Sequence, residues 1–285
     1  MSDSSRLELP MTPRRWALLV FFAAAALGLV ALPGAGHGSP LWLSLGLFGW
    51  LGCGGLAWSD PERKLRRRMG ILLGCLGVLG ICDIQTTIDR ANVWQVGVPF
   101  FLVVFVPALQ QHWGDRGVIS FRLWPREWHW RDFVYTGISV PLAWAVLKFY
   151  WWCNPDLYTH WALPPAPDPG EIRSLFLAIN AVGIWDELFF VNTVFAMLRS
   201  LFSYRVANAF QAIVYASVLH DMAFTGAGPL ILLIFAWTQG AMFERSESLV
   251  CVLLVHLIVD YFLVAAIVGS HYPGFGLDFL WRHGL

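Results

Sequence analysis

The chain has 285 residues, of which 57% are hydrophobic and 13% are charged, and its formal net charge is zero. Soluble globular proteins contain about 45–50% apolar and about 25% charged residues, so this composition predicts a membrane protein. The balanced charge argues against a nucleic-acid partner. Four of the five cysteines lie within apolar runs, a placement that indicates neither a disulfide framework nor a paired-cysteine metal site.

Nine apolar runs are candidates for crossing the roughly 30 Å of bilayer hydrocarbon. They predict an all-α fold, a polytopic transmembrane helix bundle. Because Asp83 and Gln85 interrupt the third run and the fourth run is short, the expected number of spans is eight or nine. The runs cover residues 16–34, 41–58, 70–87, 95–110, 133–152, 173–198, 206–222, 228–243 and 249–269.

The distribution of positive charge predicts the orientation, because cytoplasmic loops are rich in Lys and Arg. Alternate loops hold most of these residues, and the segment "DPERKLRRRMG" alone carries five. With nine spans, the N-terminus is cytoplasmic and the C-terminus lies outside. We expect a multi-pass protein of a bacterial inner membrane. N-terminal helices with basic loops occupy residues 1–132, and a second part that ends in a short C-terminal tail occupies residues 133–285.

The last four predicted spans contain few ionisable side chains. Asp186 and Glu187 are adjacent, His220 lies in the next span, and His256 and Asp260 are four residues apart on one helical face. At a rise of about 1.5 Å per residue, all three helices present such groups at comparable depth. A single intramembrane histidine more often links two helices, but a buried charge costs about 2.5–3.5 kcal/mol on insertion scales. Because three helices each carry such groups at comparable depth, we predict that these side chains share one polar cavity.

A carboxylate and two histidines in a dry cavity can hydrolyse a peptide bond. The carboxylate accepts a proton from water, and one histidine holds the water or protonates the leaving amine. The other histidine donates to the developing oxyanion. A site at this depth would act on a membrane-associated protein or peptide.

In order and spacing, residues 173–268 resemble the CPBP family of intramembrane glutamic endopeptidases, which includes CAAX prenyl endopeptidases and bacteriocin-processing proteins. The family motif of two glutamates, three residues and Arg corresponds to "DELFFV" at 186–191. The motif of Phe, three residues and His corresponds to "ASVLH" at 216–220, and that of His, three residues and Asn or Asp corresponds to "HLIVD" at 256–260. The segment before the third motif, "GAMFERSESL" at 240–249, also resembles the family. The resemblance implies intramembrane proteolysis without a metal or other cofactor.

The resemblance also assigns roles to the five candidate catalytic residues. The first acid of the family motif activates water, so Asp186 is the expected base and Glu187 its support. His220 is expected within one water's reach of either carboxylate. His256 is expected to donate to the oxyanion, and Asp260 to orient His256.

Three departures from the family pattern leave other functional interpretations open. Asp186 stands in place of a glutamate, Val191 in place of the arginine that would pair with the acids, and Ala216 in place of the phenylalanine. A catalytically inactive relative is one alternative, and a transporter with a polar cavity is another. A metalloenzyme is a third, since carboxylates and imidazoles are suitable metal donors. Its ligands would come from Glu187, His220, His256 and Asp260.

Overall fold

A computed structural model describes residues 7–31, 40–82, 90–110, 116–220 and 226–274. These residues form helices joined by short connections, with no β-strand among them. The helices are α1 (Pro13–Ala26, continued by a π turn, Leu27–Ala31), α2 (Pro40–Trp58), α3 (Arg63–Gly80), α4 (Arg90–Gln110), α5 (Trp130–Cys153), α6 (Pro169–Asp186), α7 (Tyr204–Leu219), α8 (Gly228–Ser246) and α9 (Leu249–His271).

The structure confirms a helical membrane bundle. Each predicted apolar run overlaps one of these helices, and five helical stretches are long and apolar enough to cross a bilayer by themselves. Asp83 and Gln85 lie outside the described residues, and eight or nine spans stays a prediction, as do the two-part division of the chain and its tail. The five stretches are Pro13–Val30, Pro40–Trp58, Trp130–Cys153, Pro169–Arg199 and Leu249–His271.

Local sequence signals explain where two of the helices begin. Thr12 precedes α1 and its Oγ1 accepts a hydrogen bond from the Arg15 backbone N–H at 3.3 Å. Asp168 precedes α6 and accepts from the Glu171 backbone N–H at 3.0 Å. In both helices proline follows the capping residue. A side-chain cap followed by proline is typical of helix starts, because the first helical N–H groups have no partner within the helix.

An ion pair ties the start of α1 to the loop between α2 and α3. Arg15 Nε lies 3.3 Å from Asp60 Oδ2. Burial raises the pKa of Asp60, but the Glu62 backbone N–H and the Arg15 guanidinium lower it, and the net pKa lies below its ordinary value. The loop therefore contributes stability through the ionised carboxylate.

Helix α6 changes from α-helical to π-helical geometry at the predicted acids. It ends at Asp186 and continues as a π segment (Glu187–Phe195), followed by a last α-helical turn (Ala196–Arg199). Thr193 Oγ1 donates to the Leu188 carbonyl at 2.9 Å, five residues back, in keeping with the i→i+5 pattern of a π-helix. Such segments are frequent at functional sites.

Helices α5 to α9 form the part of the bundle around this segment. Helices α7 and α8 pack against each other, α9 packs against α5 and α6, and the π segment contacts α7, α8 and α9. An ion pair fastens the beginning of α5 to the end of α8, with 2.5 Å between Asp132 Oδ1 and Arg245 Nη2. Asp186 and Glu187 thus lie where α6 and its π segment meet α7, α8 and α9.

Candidate active site

Two helices bring four of the five predicted site residues into one buried cluster. Asp186 and Glu187 lie at the junction of α6 and the π segment, and His256 and Asp260 lie on successive turns of α9. Each is at most 5% exposed. Because burying a charge in a low-dielectric interior is costly, such groups are expected to pair with one another.

The imidazole of His256 lies at the centre of this cluster. Its Nδ1 is 2.7 Å from Glu187 Oε1, and its Nε2 is 3.6 Å from both Asp186 Oδ2 and Asp260 Oδ1. An imidazolium could donate from Nδ1 to Glu187 while its other N–H faces the two aspartates. The arrangement therefore places one proton carrier among three proton acceptors.

A glutamine from α8 contacts the same carboxylate. Gln239 Nε2 donates to Glu187 Oε1 at 2.9 Å and to the Val252 carbonyl of α9 at 3.0 Å. Gln239 is completely buried. At the position where the family motif has arginine, Val191 is completely buried in the apolar core. A neutral amide thus donates to the acid in a chain that lacks the family's cation.

A tyrosine from α7 completes the contacts of His256. The Tyr215 hydroxyl lies 3.2 Å from His256 Nδ1, and the side chain is completely buried. Aromatic neighbours hold both rings: Phe190 lies 4.3 Å from the Tyr215 ring, and Phe235 lies 5.3 Å from the His256 ring, centroid to centroid. Since a hydroxyl can donate or accept, Tyr215 can serve either protonation state of the imidazole.

A glycine allows α6 and α9 to approach each other at the site. A Cβ atom on Gly183, one turn before Glu187, would overlap the Asp260 carboxylate and would lie 2.9 Å from His256 Cδ2. Only hydrogen leaves room for both side chains. Gly183 therefore sets the separation between the acids of α6 and their partners on α9.

The fifth predicted residue, His220, follows the last residue of α7 and is half-buried. It lies five residues beyond Tyr215, which corresponds to about 7.5 Å along a helix. Its Nδ1 is buried and makes no hydrogen bond within the described residues. Its approach to either carboxylate through one water stays a prediction, and the residues that follow it, 221–225, are not described.

The sequence did not lead to Tyr215 and Gln239, because the prediction rested on the acids and histidines of the last four spans. The sequence does contain features that could have indicated both residues. Gln239 is an amide within an apolar run and directly precedes the glycine of "GAMFERSESL", and Tyr215 directly precedes the motif position held by Ala216. A polar side chain within a membrane helix usually needs a partner, because an unsatisfied polar group in hydrocarbon costs free energy.

The cluster can accept, hold and return a proton next to a reacting bond. Glu187 Oε2, Asp186 Oδ1 and Asp260 Oδ2 are buried and have no hydrogen-bond partner within the described residues. These oxygens are free to bind a substrate group or a water. Carboxylates and imidazoles are also chemically suitable metal donors, although none of the described residues form a group arranged to hold a metal ion.

Comparison with known proteins supports the interpretation of the motifs. Residues 168–262 match the family model described as Rce1-like, type II CAAX prenyl endopeptidase. The match confirms the predicted resemblance to the CPBP endopeptidases, and it includes every residue of the cluster as well as His220. No curated protein and no solved structure matches the chain. The match covers about one third of the chain, and together with the apolar helices it indicates an integral membrane protein.

Proposed function

We propose that the protein is an intramembrane endopeptidase that hydrolyses a peptide bond in a membrane-associated protein or peptide by means of carboxylate-activated water. The observation that carries this proposal is the 2.7 Å contact between Glu187 Oε1 and His256 Nδ1 in a buried cluster. The match of residues 168–262 to a CAAX prenyl endopeptidase model supports the same class of reaction.

The chemistry begins with a water bound at the free oxygen of Glu187. The carboxylate takes one proton, and the oxygen of the resulting hydroxide attacks the scissile carbonyl carbon. The carbonyl electrons move to its oxygen, where the Tyr215 hydroxyl is a suitable donor to the oxyanion. When the C–N bond breaks, the nitrogen receives a proton from Glu187 or His256, leaving a new carboxylate and a new amine.

The contacts favour a division of roles that differs from the one implied by the family motif. Glu187 has direct hydrogen bonds to His256 and Gln239, whereas Asp186 faces His256 at the longer distance of 3.6 Å. We assign the base to Glu187 and a supporting charge to Asp186. Asp260 would orient His256 from the same helix, and His220 would act on the substrate from the end of α7.

The substrate, orientation and cellular location are parts of the proposal. The family description supports a prenylated C-terminal peptide as the first substrate to test, and sorting-signal and bacteriocin precursors are the other candidates. The excess of Lys and Arg in alternate loops supports a cytoplasmic N-terminus, and a bacterial inner membrane is the location proposed with it. Within this arrangement, residues 133–285 would form the protease core and residues 1–132 the N-terminal helices.

The test uses the full-length protein reconstituted in liposomes. Internally quenched peptides of the three substrate classes are presented in water enriched in oxygen-18, with and without a metal chelator. We expect cleavage of at least one peptide, incorporation of one heavy oxygen into the new carboxylate, and the same rate with chelator. Loss of cleavage on chelation, restored by a divalent metal, would support the metalloenzyme alternative instead.

Two further outcomes decide between the remaining alternatives. Failure to cleave any peptide of the panel would contradict the proposed activity and favour an inactive relative. A transporter would instead move a solute or protons across the liposome membrane, which an internal pH-sensitive dye can detect. If such flux occurs without cleavage and depends on Glu187, the protease proposal is wrong.

A further inference from the structure

Positive charge is concentrated at one end of the bundle, where α1 begins and where α2 leads into α3. Arg14 lies in the first turn of α1. The first turn of α3 contributes three more cations, Arg63, Lys64 and Arg66. All four side chains are exposed, and the Arg14 guanidinium donates a hydrogen bond to the Ser59 hydroxyl in the loop before α3. These four neighbouring residues are called the basic patch below.

Few acids offset the charge of the basic patch. Asp60 in the same loop is paired with Arg15, and the Glu62 carboxylate caps α3 by accepting a hydrogen bond from a backbone N–H. Among the described residues, no acidic side chain forms an ion pair with the three cations of α3. Positive side chains at a helix N-terminus are also unfavourable to the helix dipole. An anionic ligand from outside the chain would relieve both conditions.

Two exposed tryptophans indicate that the basic patch lies at the membrane surface. Helices α1 and α2 are both candidate membrane spans, and the patch lies where the first begins and the second ends. Trp16 and Trp58 occupy these same two ends and are 45% and 80% exposed. Tryptophan is enriched at the level of the lipid headgroups. Exposed indoles beside exposed cations therefore favour contact with lipid headgroups over contact with a soluble protein.

Two further arginines fix the beginning of α3 to its neighbours. Arg67 Nη2 donates to the Gln110 carbonyl at the end of α4 at 2.7 Å. Arg68 is 2% exposed, and its Nη1 donates to Ser200 Oγ at 2.8 Å, directly after the helical turn that follows the π segment. The backbone that carries the three outer cations is therefore held in place. A surface that is already ordered loses less conformational entropy when it binds a ligand.

We propose that the basic patch is a binding surface for the phosphate groups of anionic phospholipids, with Trp16 and Trp58 lying among the headgroups. Guanidinium and ammonium groups bind phosphate oxygens, and the indoles fit a ligand whose charge adjoins an apolar part. In the predicted orientation this loop is cytoplasmic, and anionic lipids of that leaflet attract basic segments next to membrane helices. The surface is distinct from the acid cluster, so the proposal does not depend on peptide cleavage.

The test measures how tightly the full-length protein in a neutral detergent binds phosphatidylglycerol and phosphatidylcholine with the same acyl chains, by native mass spectrometry. The triple variant Arg63→Gln, Lys64→Gln, Arg66→Gln removes the cations of α3 and keeps good helix formers. We expect the wild type to prefer phosphatidylglycerol. The triple variant should bind phosphatidylglycerol about 100-fold more weakly, because each basic residue near an anionic surface contributes about fivefold.

A matched control removes three exposed cations outside the basic patch, Arg126→Gln, Arg131→Gln and Arg205→Gln, and should bind phosphatidylglycerol as the wild type does. Without added lipid, the patch variant should melt at the wild-type temperature, because its three side chains have no ion-pair partner within the described residues. Added phosphatidylglycerol should raise the melting temperature of the wild type and of the control, since a ligand stabilises the state that binds it. It should not raise that of the patch variant.

Equal binding of phosphatidylglycerol by the wild type and the patch variant would overturn the proposal. Two soluble competitors test other sources of negative charge, and we expect neither to displace the lipid at equal concentration. Displacement by glycerol phosphate would show a site for free phosphate, and displacement by a polyglutamate peptide would show a surface for an acidic protein. Either result would contradict a lipid surface. All of these measurements report binding or melting, so the absence of peptide cleavage would leave their outcome unchanged.

Discussion

Replacing Gly183 with alanine is the sharpest perturbation of the site geometry that avoids the chemical groups themselves. The added methyl group would overlap the Asp260 carboxylate and lie 2.9 Å from His256 Cδ2. Both side chains belong to α9, so relief requires α6 and α9 to separate or both side chains to turn away. Either movement lengthens the contact between Glu187 and His256.

The structure allows the effects on stability and activity to be worked out separately. Alanine is favoured over glycine in a helix by about 1 kcal/mol, while overpacking a buried site costs about 1–3 kcal/mol. The net loss of stability is therefore only about 0–2 kcal/mol. Activity should suffer more, because a misplacement of about 1 Å can reduce a rate about 100-fold. We expect Gly183→Ala to remain folded and to lose about 100-fold in kcat.

The assay compares peptide cleavage and apparent melting temperature for Gly183→Ala and Gly137→Ala. Gly137 lies on α5, where an added Cβ meets nothing within 4 Å, so its alanine variant should melt at the same or a higher temperature and keep full activity. Wild-type kcat in Gly183→Ala would refute the close approach of α6 and α9 as a requirement for catalysis.

Three further substitutions test other parts of the structure. Tyr215→Phe removes the hydroxyl near His256 and keeps the ring, so we expect kcat to fall about 100-fold to 1,000-fold, the cost of one lost oxyanion donor, with no change in melting temperature; an unchanged kcat would reduce Tyr215 to a packing role. Asp132→Asn weakens the buried partner of Arg245 and should cost about 1.5–3 kcal/mol, seen as a lower melting temperature, and wild-type stability would contradict the pairing. Because the pKa of Asp60 is lowered in the folded state, its stabilisation is present above the ordinary pKa of about 4 and is lost as the pH falls through the lowered folded pKa. Melting temperatures measured from pH 6 to pH 2 should therefore decline less steeply for Asp60→Asn than for wild type, and parallel declines would contradict this.

Apolar runs were sufficient to predict the helical bundle, but they could not define helix ends in detail. The run predicted at 70–87 begins in the structure at Arg63, because a basic, amphipathic first turn can be helical without being apolar. The π segment (Glu187–Phe195) was also beyond prediction. The segment packs against α7, α8 and α9, and no residue type in "ELFFVNTVF" marks a π-helix.

The convergence of Glu187, His256 and Asp260 was predictable because buried acids need partners and the latter two share a helical face. The contacts of Gln239 and Tyr215 were less predictable. Gln239 lies 52 residues from Glu187, and Tyr215 lies 41 residues from its partner His256, so both contacts depend on how α7 and α8 are oriented. The sequence pattern of one helix does not show how that helix is rotated about its axis relative to its neighbours.

The measurement that tests the central claim most directly is the rate of peptide cleavage by Glu187→Gln. Exposed Glu171 lies in the first turn of α6, the helix that the π segment continues, and Glu171→Gln makes the identical chemical change away from the cluster. General-base catalysis contributes about 100-fold to 10,000-fold, so Glu187→Gln should lose at least about 100-fold in kcat while Glu171→Gln keeps the wild-type rate. Cleavage by folded Glu187→Gln at the rate of Glu171→Gln would contradict carboxylate-activated hydrolysis at this site.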